Sequence, residues 1–228
     1  MQYMGSKNRI AKHILPIMLT CRKPNQWWVE PFVGGANMID KVDGNRIGND
    51  VNLYLIALYK ALQNGWIPPT DISREMYYNI KANSHQCSDE LVGFVGFLCS
   101  FGGKWWGGYA FNNNGDNYAL RGSKALIKQS KNLIGVDFRC GNYIEMDIPS
   151  NSLIYCDPPY ANTTNYKNTF NHIEFWQWCR QKNKDGHTVF ISEYNAPSDF
   201  ECVKVINHKT ILNKNSQDRR IEKLFTIC

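Results

Sequence analysis

Asp157, Pro158, Pro159 and Tyr160 place a carboxylate and a phenol on either side of two consecutive prolines. A proline offers no backbone N–H and keeps the residue before it out of the helical region, so the four residues form a stiff corner. Carbonyls in that corner have no local proline amide to satisfy them. A carboxylate, a spare carbonyl and an aromatic ring suit a flat heterocycle that bears an amino group. Each oxygen accepts one N–H, and the ring stacks on the base. The same four residues also read as a proline turn with Tyr160 in the core, so their neighbours must decide.

Residues 152–156 (Ser-Leu-Ile-Tyr-Cys) are a short apolar run and predict a buried strand. The corner then sits at a strand's carboxyl end, where open α/β sheets bind ligands. A second strand is expected over 27–29, running into Glu30-Pro31-Phe32-Val33-Gly34-Gly35-Ala36-Asn37. Strand, paired glycines and a short helical stretch form a nucleotide-type loop, because glycines let the backbone approach a ligand closely. The G-x-G-x-x-G fingerprint is absent, which disfavours a nicotinamide or flavin cofactor. A third strand over 46–48 ends at Asn49-Asp50. Asp50, 16 positions after Gly34, is placed to accept hydrogen bonds from ribose hydroxyls or to cap the next helix. Tyr3-Met4-Gly5-Ser6-Lys7 precedes Ile10, Ile14, Leu15 and Met18 at helical spacing. Ser6 is the expected N-cap, and Pro16 is expected to bend or end the helix. Lys7 with the amides of a helix start makes a carboxylate site, or else a solvated lysine.

The remaining pattern predicts helices over 51–64, 74–82, 88–98 with Ser88 as cap, 123–133 and 172–182. Further strands are expected over 136–140, 188–192, 202–206 and 223–227, the last two as an antiparallel pair. Residues 100–122 interleave glycine, asparagine and aromatic rings with positive charge, including Phe101, Lys104, Trp105, Trp106, Tyr109, Phe111 and Arg121. That mixture reads as a loop or hairpin offering stacking faces and wedges, not as a packed core element. Residues 161–171 read as a mobile loop beside the site. Residues 213–220, with Lys214, Arg219 and Arg220, read as a basic loop that could grip phosphate.

At 228 residues the chain is expected to be one large domain, or one domain with an insertion. Its net charge of +6 and pI of ≈ 8.8 are compatible with a nucleic-acid partner. Eight cysteines form no C-x-x-C pair and the five histidines are scattered, so reduced thiols and no metal are expected. No signal-peptide pattern opens the sequence and no run of about 18 apolar residues occurs, so a cytoplasmic chain without membrane contact is expected.

With these residues in hand, the chain resembles the Dam-like (class D12) adenine-specific DNA methyltransferases nearly end to end. Tyr3…Lys7 is similar to that family's first cofactor motif, 30–34 to its glycine loop, and 49–52 to its ribose-binding strand end. Asp157-Pro158-Pro159-Tyr160 is similar to its catalytic motif and 97–112 to its target-recognition hairpin. Residues 191–194 and 215–224 resemble its closing segments. The chain departs from its relatives in a Gly-Gly-Ala-Asn loop and in a recognition region rich in glycine and tryptophan.

The resemblance implies an α/β, Rossmann-like fold dependent on S-adenosyl-L-methionine, built on a mixed seven-stranded sheet with a small helical and hairpin insertion. It implies a catalytic domain over 1–60 and 136–228 and a recognition insertion over 61–135. The implied reaction is methylation of adenine N6 in duplex DNA, at a GATC-like site, by a monomer in a bacterial or phage-infected cell. Asp157, Pro158 and Tyr160 would act on the flipped-out base. Tyr3, Lys7, Glu30, Phe32, Gly34, Gly35, Asp50 and Asp157 would hold the cofactor, with Lys7 and Tyr3 at its amino-acid end. Lys104, Trp105, Trp106, Tyr109, Arg121, Lys214, Arg219 and Arg220 would touch DNA. The competing expectations are a methyltransferase acting on RNA or on protein glutamine, and a silent DNA-binding relative. Replacing Lys104, Arg219 or Arg220 by alanine is expected to weaken DNA binding and to lower the salt slope by about one for each phosphate that no longer meets a cation. Affinity titrations across a salt series check this, and unchanged slopes in all three remove them from the interface.

Overall fold

The computed structural model describes residues 1–160, 170–209 and 219–227; at 208, 209, 219 and 220 it describes the backbone alone. Seven strands form one sheet: β1 (Trp28–Glu30), β2 (Arg46–Asp50), β3 (Val136–Cys140), β4 (Leu153–Cys156), β5 (Thr188–Glu193), β6 (Glu201–Lys209) and β7 (Arg219–Thr226). Their order is β3-β2-β1-β4-β5-β7-β6. The first five run parallel, and β7 is inserted antiparallel to both β5 and β6. The central strands are apolar throughout because both faces of a parallel sheet are covered. All four residues of β4 are buried. Leu153 and Tyr155 face one core and Ile154 and Cys156 the other, as the two-residue period requires.

The described helices are α1 (Ala11–Cys21), α2 (Leu53–Gln63), α3 (Arg74–Ala82), α4 (Asp89–Leu98), α5 (Tyr118–Ser130) and α6 (His172–Lys184). Short polar side chains fix several of their starts. The carbonyl oxygens of Asn52, Asn117 and Asn171 accept the N–H groups of Leu55, Leu120 and Glu174, and the hydroxyl of Ser73 accepts that of Met76. α1, α2, α4 and α5 share one core with the sheet; α6 closes the other face with Phe175, Trp178 and Cys179.

Three expectations change. α1 does not end at Pro16. That proline lies on the exposed side of the helix, where the carbonyl it leaves without a donor meets water, while Ile14, Leu15 and Met18 hold the opposite face in the core. α5 starts at Tyr118 because Asn117 caps it, ahead of the residues whose periodicity predicted it. Ser88 stands at the N-cap of α4 without a side-chain bond, so the acidic first turn of Asp89 and Glu90 supports that end instead. α2 runs unbroken across position 60/61. α4 meets α2 so closely that a Cβ on Gly93 would run into the backbone carbonyl of Tyr54.

Strand β1 sits at the centre of the five parallel strands, with β2 and β3 on one side and β4 and β5 on the other. The order reverses between β1 and β4, so their carboxyl ends frame the ligand crevice. The opposite ends are pinned by His187, whose buried Nδ1 accepts the Ser152 N–H at 3.0 Å. Burial lowers the His187 pKa below its ordinary value, so this acceptor role belongs to the neutral ring. A depressed histidine pKa adds stability above about pH 6.5, and that share is lost as pH falls through the folded-state value. His187→Ala is expected to cost about 1–3 kcal/mol by leaving the Ser152 N–H unpaired. Urea unfolding at about pH 8 and about pH 5.5 checks both points: the variant's deficit shrinks at the lower pH.

Candidate active site

Three strand ends converge on a cavity of ≈ 670 Å³, within the roughly 300–1,000 Å³ of small-molecule sites. On the β1 side, Gly34 donates its N–H to Asp50 Oδ2 at 3.1 Å, and the Tyr59 hydroxyl donates to the Gly34 carbonyl at 2.6 Å. Gly35 cannot carry a side chain, since a Cβ there would stand 2.5 Å from Asn37 Nδ2 and 2.7 Å from the Tyr3 Cβ. Tyr3 thus lies directly on the glycine loop, and its ring also packs on Phe97 at 5.3 Å. Asp50 ends β2 and accepts the Asn52 N–H at 3.0 Å through its other oxygen. Burial raises its pKa despite these bonds. Glu30 is 2% exposed and accepts the Trp28 indole N–H at 2.8 Å; burial pushes its carboxyl well above the usual carboxylate range. Phe32 packs on Tyr143 at 4.9 Å and edge-on to Phe170 at 5.7 Å, giving this end of the cavity an apolar aromatic wall.

The other end belongs to β4, β5 and β7. Asp157 follows β4 directly, and its Oδ1 meets the Lys7 ammonium at 2.9 Å. Lys7 is 5% exposed, donates to the Gly5 carbonyl at 3.1 Å, and lies 3.5 Å from Glu222 Oε2. It also stands 4.5 Å above the Tyr160 ring, as a cation–π contact. Tyr194, just past β5, packs edge-on against Tyr160 at 4.7 Å. The expected Ser6 cap is present, its hydroxyl accepting the Asn8 N–H at 3.3 Å, but the turn it starts is a short 3₁₀ one. The carboxylate that Lys7 meets is the protein's own Asp157.

Burial pushes Asp157 up to about 6, with Lys7 opposing and Glu222 adding to the rise. That is a preference for the neutral acid of about 3 kcal/mol relative to water. Burial acts against the charge on Lys7, but Asp157 and Glu222 outweigh it and leave its pKa raised. The raised Asp157 value means that the ionised form costs stability. Its favourable share is complete below the unfolded value and is lost as pH rises through about 6. The site keeps its working charge at that expense.

The structure separates the residues expected to face DNA. Trp105 stacks on Tyr54 at 5.6 Å and on Phe97 at 4.7 Å, over Gly96. Trp106 packs edge-on to Tyr77 at 5.2 Å, and the Tyr109 hydroxyl donates to the Ile72 carbonyl at 2.9 Å. All three rings are half-buried against the helices, which corrects the expectation of an unpacked segment. They brace a small hairpin in which Ser100 bridges Tyr109 and the Phe101 N–H donates to the Gly108 carbonyl at 2.8 Å. Phe101 and Phe111 are its exposed rings, at 65% and 57%. Arg121 lies on α5 beside Asp116 at 3.5 Å and over the Tyr118 ring. Lys104 is half-buried at the hairpin's turn. Lys214 and most of the 161–171 loop lie outside the described residues, and Arg219 and Arg220 are placed only as backbone at the start of β7.

A glycine loop at β1, an acidic tip at β2 and an Asp-Pro-Pro-Tyr corner at β4, on a sheet with β7 reversed, define a Rossmann-like methyltransferase that works on an amino group. Comparison with known proteins agrees. Residues 3–94 and 104–224 match the D12 class N6 adenine-specific DNA methyltransferases, and the chain belongs to that family. It is 27% identical over 216 residues to the DNA adenine methylase of Salmonella typhi, spanning 82% of this chain and 73% of that protein. It is 24% identical over 248 residues to the type II methyltransferase M.FokI of Planomicrobium okeanokoites, spanning 94% of this chain and 36% of that one. Among solved structures it aligns with SMU.472, assigned as a methyltransferase and solved with SAH, at TM-score 0.37 and 11% identity, covering 97% of this chain and 52% of that one.

The cofactor of this family is S-adenosyl-L-methionine. The residues present fit it: the glycine loop with Tyr3 across it, a half-buried acid at Asp50 and an aromatic wall line one cavity that ends at Asp157. Among the described residues no cluster could hold a metal ion, and no helix is long and apolar enough to cross a membrane. Reading the sequence missed Tyr143, Phe170, Tyr194 and Glu222 as cavity residues. Glu222 lies within the 215–224 segment already singled out, but β7 also carries Arg219, Arg220 and Lys223, so its charge does not stand out. If Asp157 must be ionised to accept a substrate N–H, kcat/KM for methyl transfer is expected to be level above about pH 6 and to fall about tenfold per unit below it. A pH–rate profile under subsaturating substrate checks this.

Proposed function

We propose that the chain transfers the methyl group of S-adenosyl-L-methionine to the exocyclic N6 of an adenine swung out of duplex DNA. The observation that carries this reading is the half-buried Asp157 carboxylate, which lines with Tyr160 the same cavity as the glycine loop. Adenine stacked in a duplex cannot bring N6 into that cavity, so the base leaves the helix at a cost of a few kcal/mol. Tyr160 stacks on the extruded ring. Asp157 and the Pro158 carbonyl accept the two N–H groups, which draws the nitrogen lone pair out of conjugation. When bound, the cofactor supplies an electrophilic methyl on a sulfonium. Placement and fixed charge do the rest, and no covalent enzyme intermediate is required. Glu30, Phe32, Gly34, Gly35, Asp50 and Tyr3 line the cofactor's half of the cavity, and Asp50 is the residue placed to meet its ribose.

The hairpin supplies the DNA contact. It is tied to the segment that carries Lys7, since the Met4 N–H donates to the Gly103 carbonyl at 3.2 Å. Phe101, exposed at its base, is the ring free to fill the gap an extruded adenine leaves, with Trp105, Trp106 and Tyr109 as its brace. Residues 61–135 then form the recognition part, with Lys104 and Arg121 beside phosphates, and Lys214, Arg219 and Arg220 gripping the backbone near β7. A GATC-like tetranucleotide is the expected target.

Asp157→Ala and Tyr160→Ala are each expected to cut transfer by at least about 10³-fold, with the thermal midpoint retained. Transfer of tritiated methyl to methyl-free DNA, to RNA and to protein checks the substrate class in the same assay. Methylation sequencing of DNA from an expressing host reads the site. Full activity in a folded Asp157→Ala chain refutes the assignment.

A further inference from the structure

We infer that Glu222 is a positioning residue that takes over the Lys7 ammonium when the target base claims Asp157 and Tyr160. This rests on the function proposed above. Lys7 already makes two of the contacts assigned to the adenine: it donates to Asp157 Oδ1 at 2.9 Å, as the amine would, and stands 4.5 Å over the Tyr160 ring, where the base would stack. The ammonium therefore fills the amine's place, and an arriving base has to move it. At 5% exposure Lys7 has no easy path to water, so it needs a second acceptor inside the protein. Glu222 Oε2 waits 3.5 Å away.

Topology puts it there. β7 runs against its neighbours, so its first half lies at the carboxyl ends of the parallel strands, where Lys223 pairs with Glu193. Glu222 then points to the same face as Leu224, toward the core that Lys7 borders. The Tyr160 hydroxyl also donates to Glu222 Oε2 at 3.4 Å, so one carboxylate steadies both the displaced cation and the stacking ring. Charge accounting agrees. Two carboxylates share one ammonium at rest; when the neutral base occupies Asp157, Lys7 and Glu222 remain as a neutral pair. Among the described residues, the other titratable groups facing Asp157 are the Tyr160 and Tyr155 phenols, Glu30 and Cys156, and Tyr194 faces Lys7. The two phenols have raised pKa values and Glu30 is held toward its neutral form by burial. None of them can receive the cation in place of Glu222.

The test uses Glu222→Gln and Glu222→Asp in the full chain. Glu222→Gln is expected to raise KM for DNA that holds the target adenine by about 10–100-fold, because base arrival then strands Lys7. Affinity for DNA without the target and for S-adenosylhomocysteine stays at the wild-type value, and Glu222→Asp recovers most of the loss. The acid limb of kcat/KM moves below its wild-type position, since a negative neighbour of Asp157 is gone; a merely structural role would not shift it. An unchanged KM, an equal loss on both DNAs, or a loss confined to cofactor affinity overturns the inference. A wild-type chain that transfers no methyl to DNA overturns the proposed function and the inference with it. A wild-type chain that methylates beside an equally competent Glu222→Gln overturns the inference alone.

Discussion

Two carboxylates and one ammonium meet at a buried point where four segments converge, and the active half of the molecule is arranged around that meeting. Lys7 comes from the N-terminal turn, Asp157 from the end of β4, Glu222 from β7, and Tyr160 from the corner that follows Asp157. Each charge alone would be costly at this depth. Together they are tolerable, though burial still lifts Asp157 to about 6, with Lys7 opposing the rise and Glu222 adding to it. A hydrogen-bond acceptor for an amine must be ionised, unpaired by its own proton, and dry enough to be strong. On the function proposed above, this arrangement supplies all three at neutral pH, and Lys7 holds the amine's place.

The order β3-β2-β1-β4-β5-β7-β6 makes that meeting possible. Parallel strands alone would deliver loop residues to the crevice, which are harder to fix. Reversing β7 delivers a strand residue instead, held by register on both sides, with Glu222 opposite Ile206 and its neighbour Lys223 opposite Glu193. The cofactor half is built differently. Gly34 and Asp50 are locked to each other through backbone bonds, and Gly35 is stripped of a side chain so that Tyr3 can lie across it. One half is preorganised by charge and the other by close backbone approach. They share the cavity because β1 and β4 are adjacent.

What could be read in the sequence follows from the range of the interactions. The central strands were legible because burial on both faces leaves unbroken apolar runs, as at 152–156 and 188–192. α3 was legible to the residue because Ser73 caps it and Tyr77 and Ile80 anchor its buried face. Asp157, Tyr160, Gly34 and Asp50 were legible because proline, glycine and a strand-end acid constrain the backbone locally. Glu222 and Tyr143 were not, since their roles come from strand order and from packing across the sheet. Pro16 misled because its effect depends on which side of the helix faces water. Trp105 and Trp106 misled because composition cannot say what a ring leans on.

Those tryptophans bear on how a small insertion can do mechanical work. To extrude a base, a wedge must hold its position against a stack that resists by a few kcal/mol. A glycine-rich hairpin with a single bridge would yield instead. Here the rigidity is borrowed. Trp105 presses on α4 over Gly96, where a side chain would displace the indole, and Trp106 donates its backbone N–H to the Gly96 carbonyl at 2.9 Å while its ring meets Tyr77 on α3. α4 in turn is seated on α2 through Gly93. The load on Phe101 thus runs through two aromatic struts and a helix into the same core that carries β1. At its other side the hairpin grips the segment leading to Lys7. Glycine sets the turn and tryptophan stiffens it, and the hairpin is tied both to α4 and to the segment that carries Lys7.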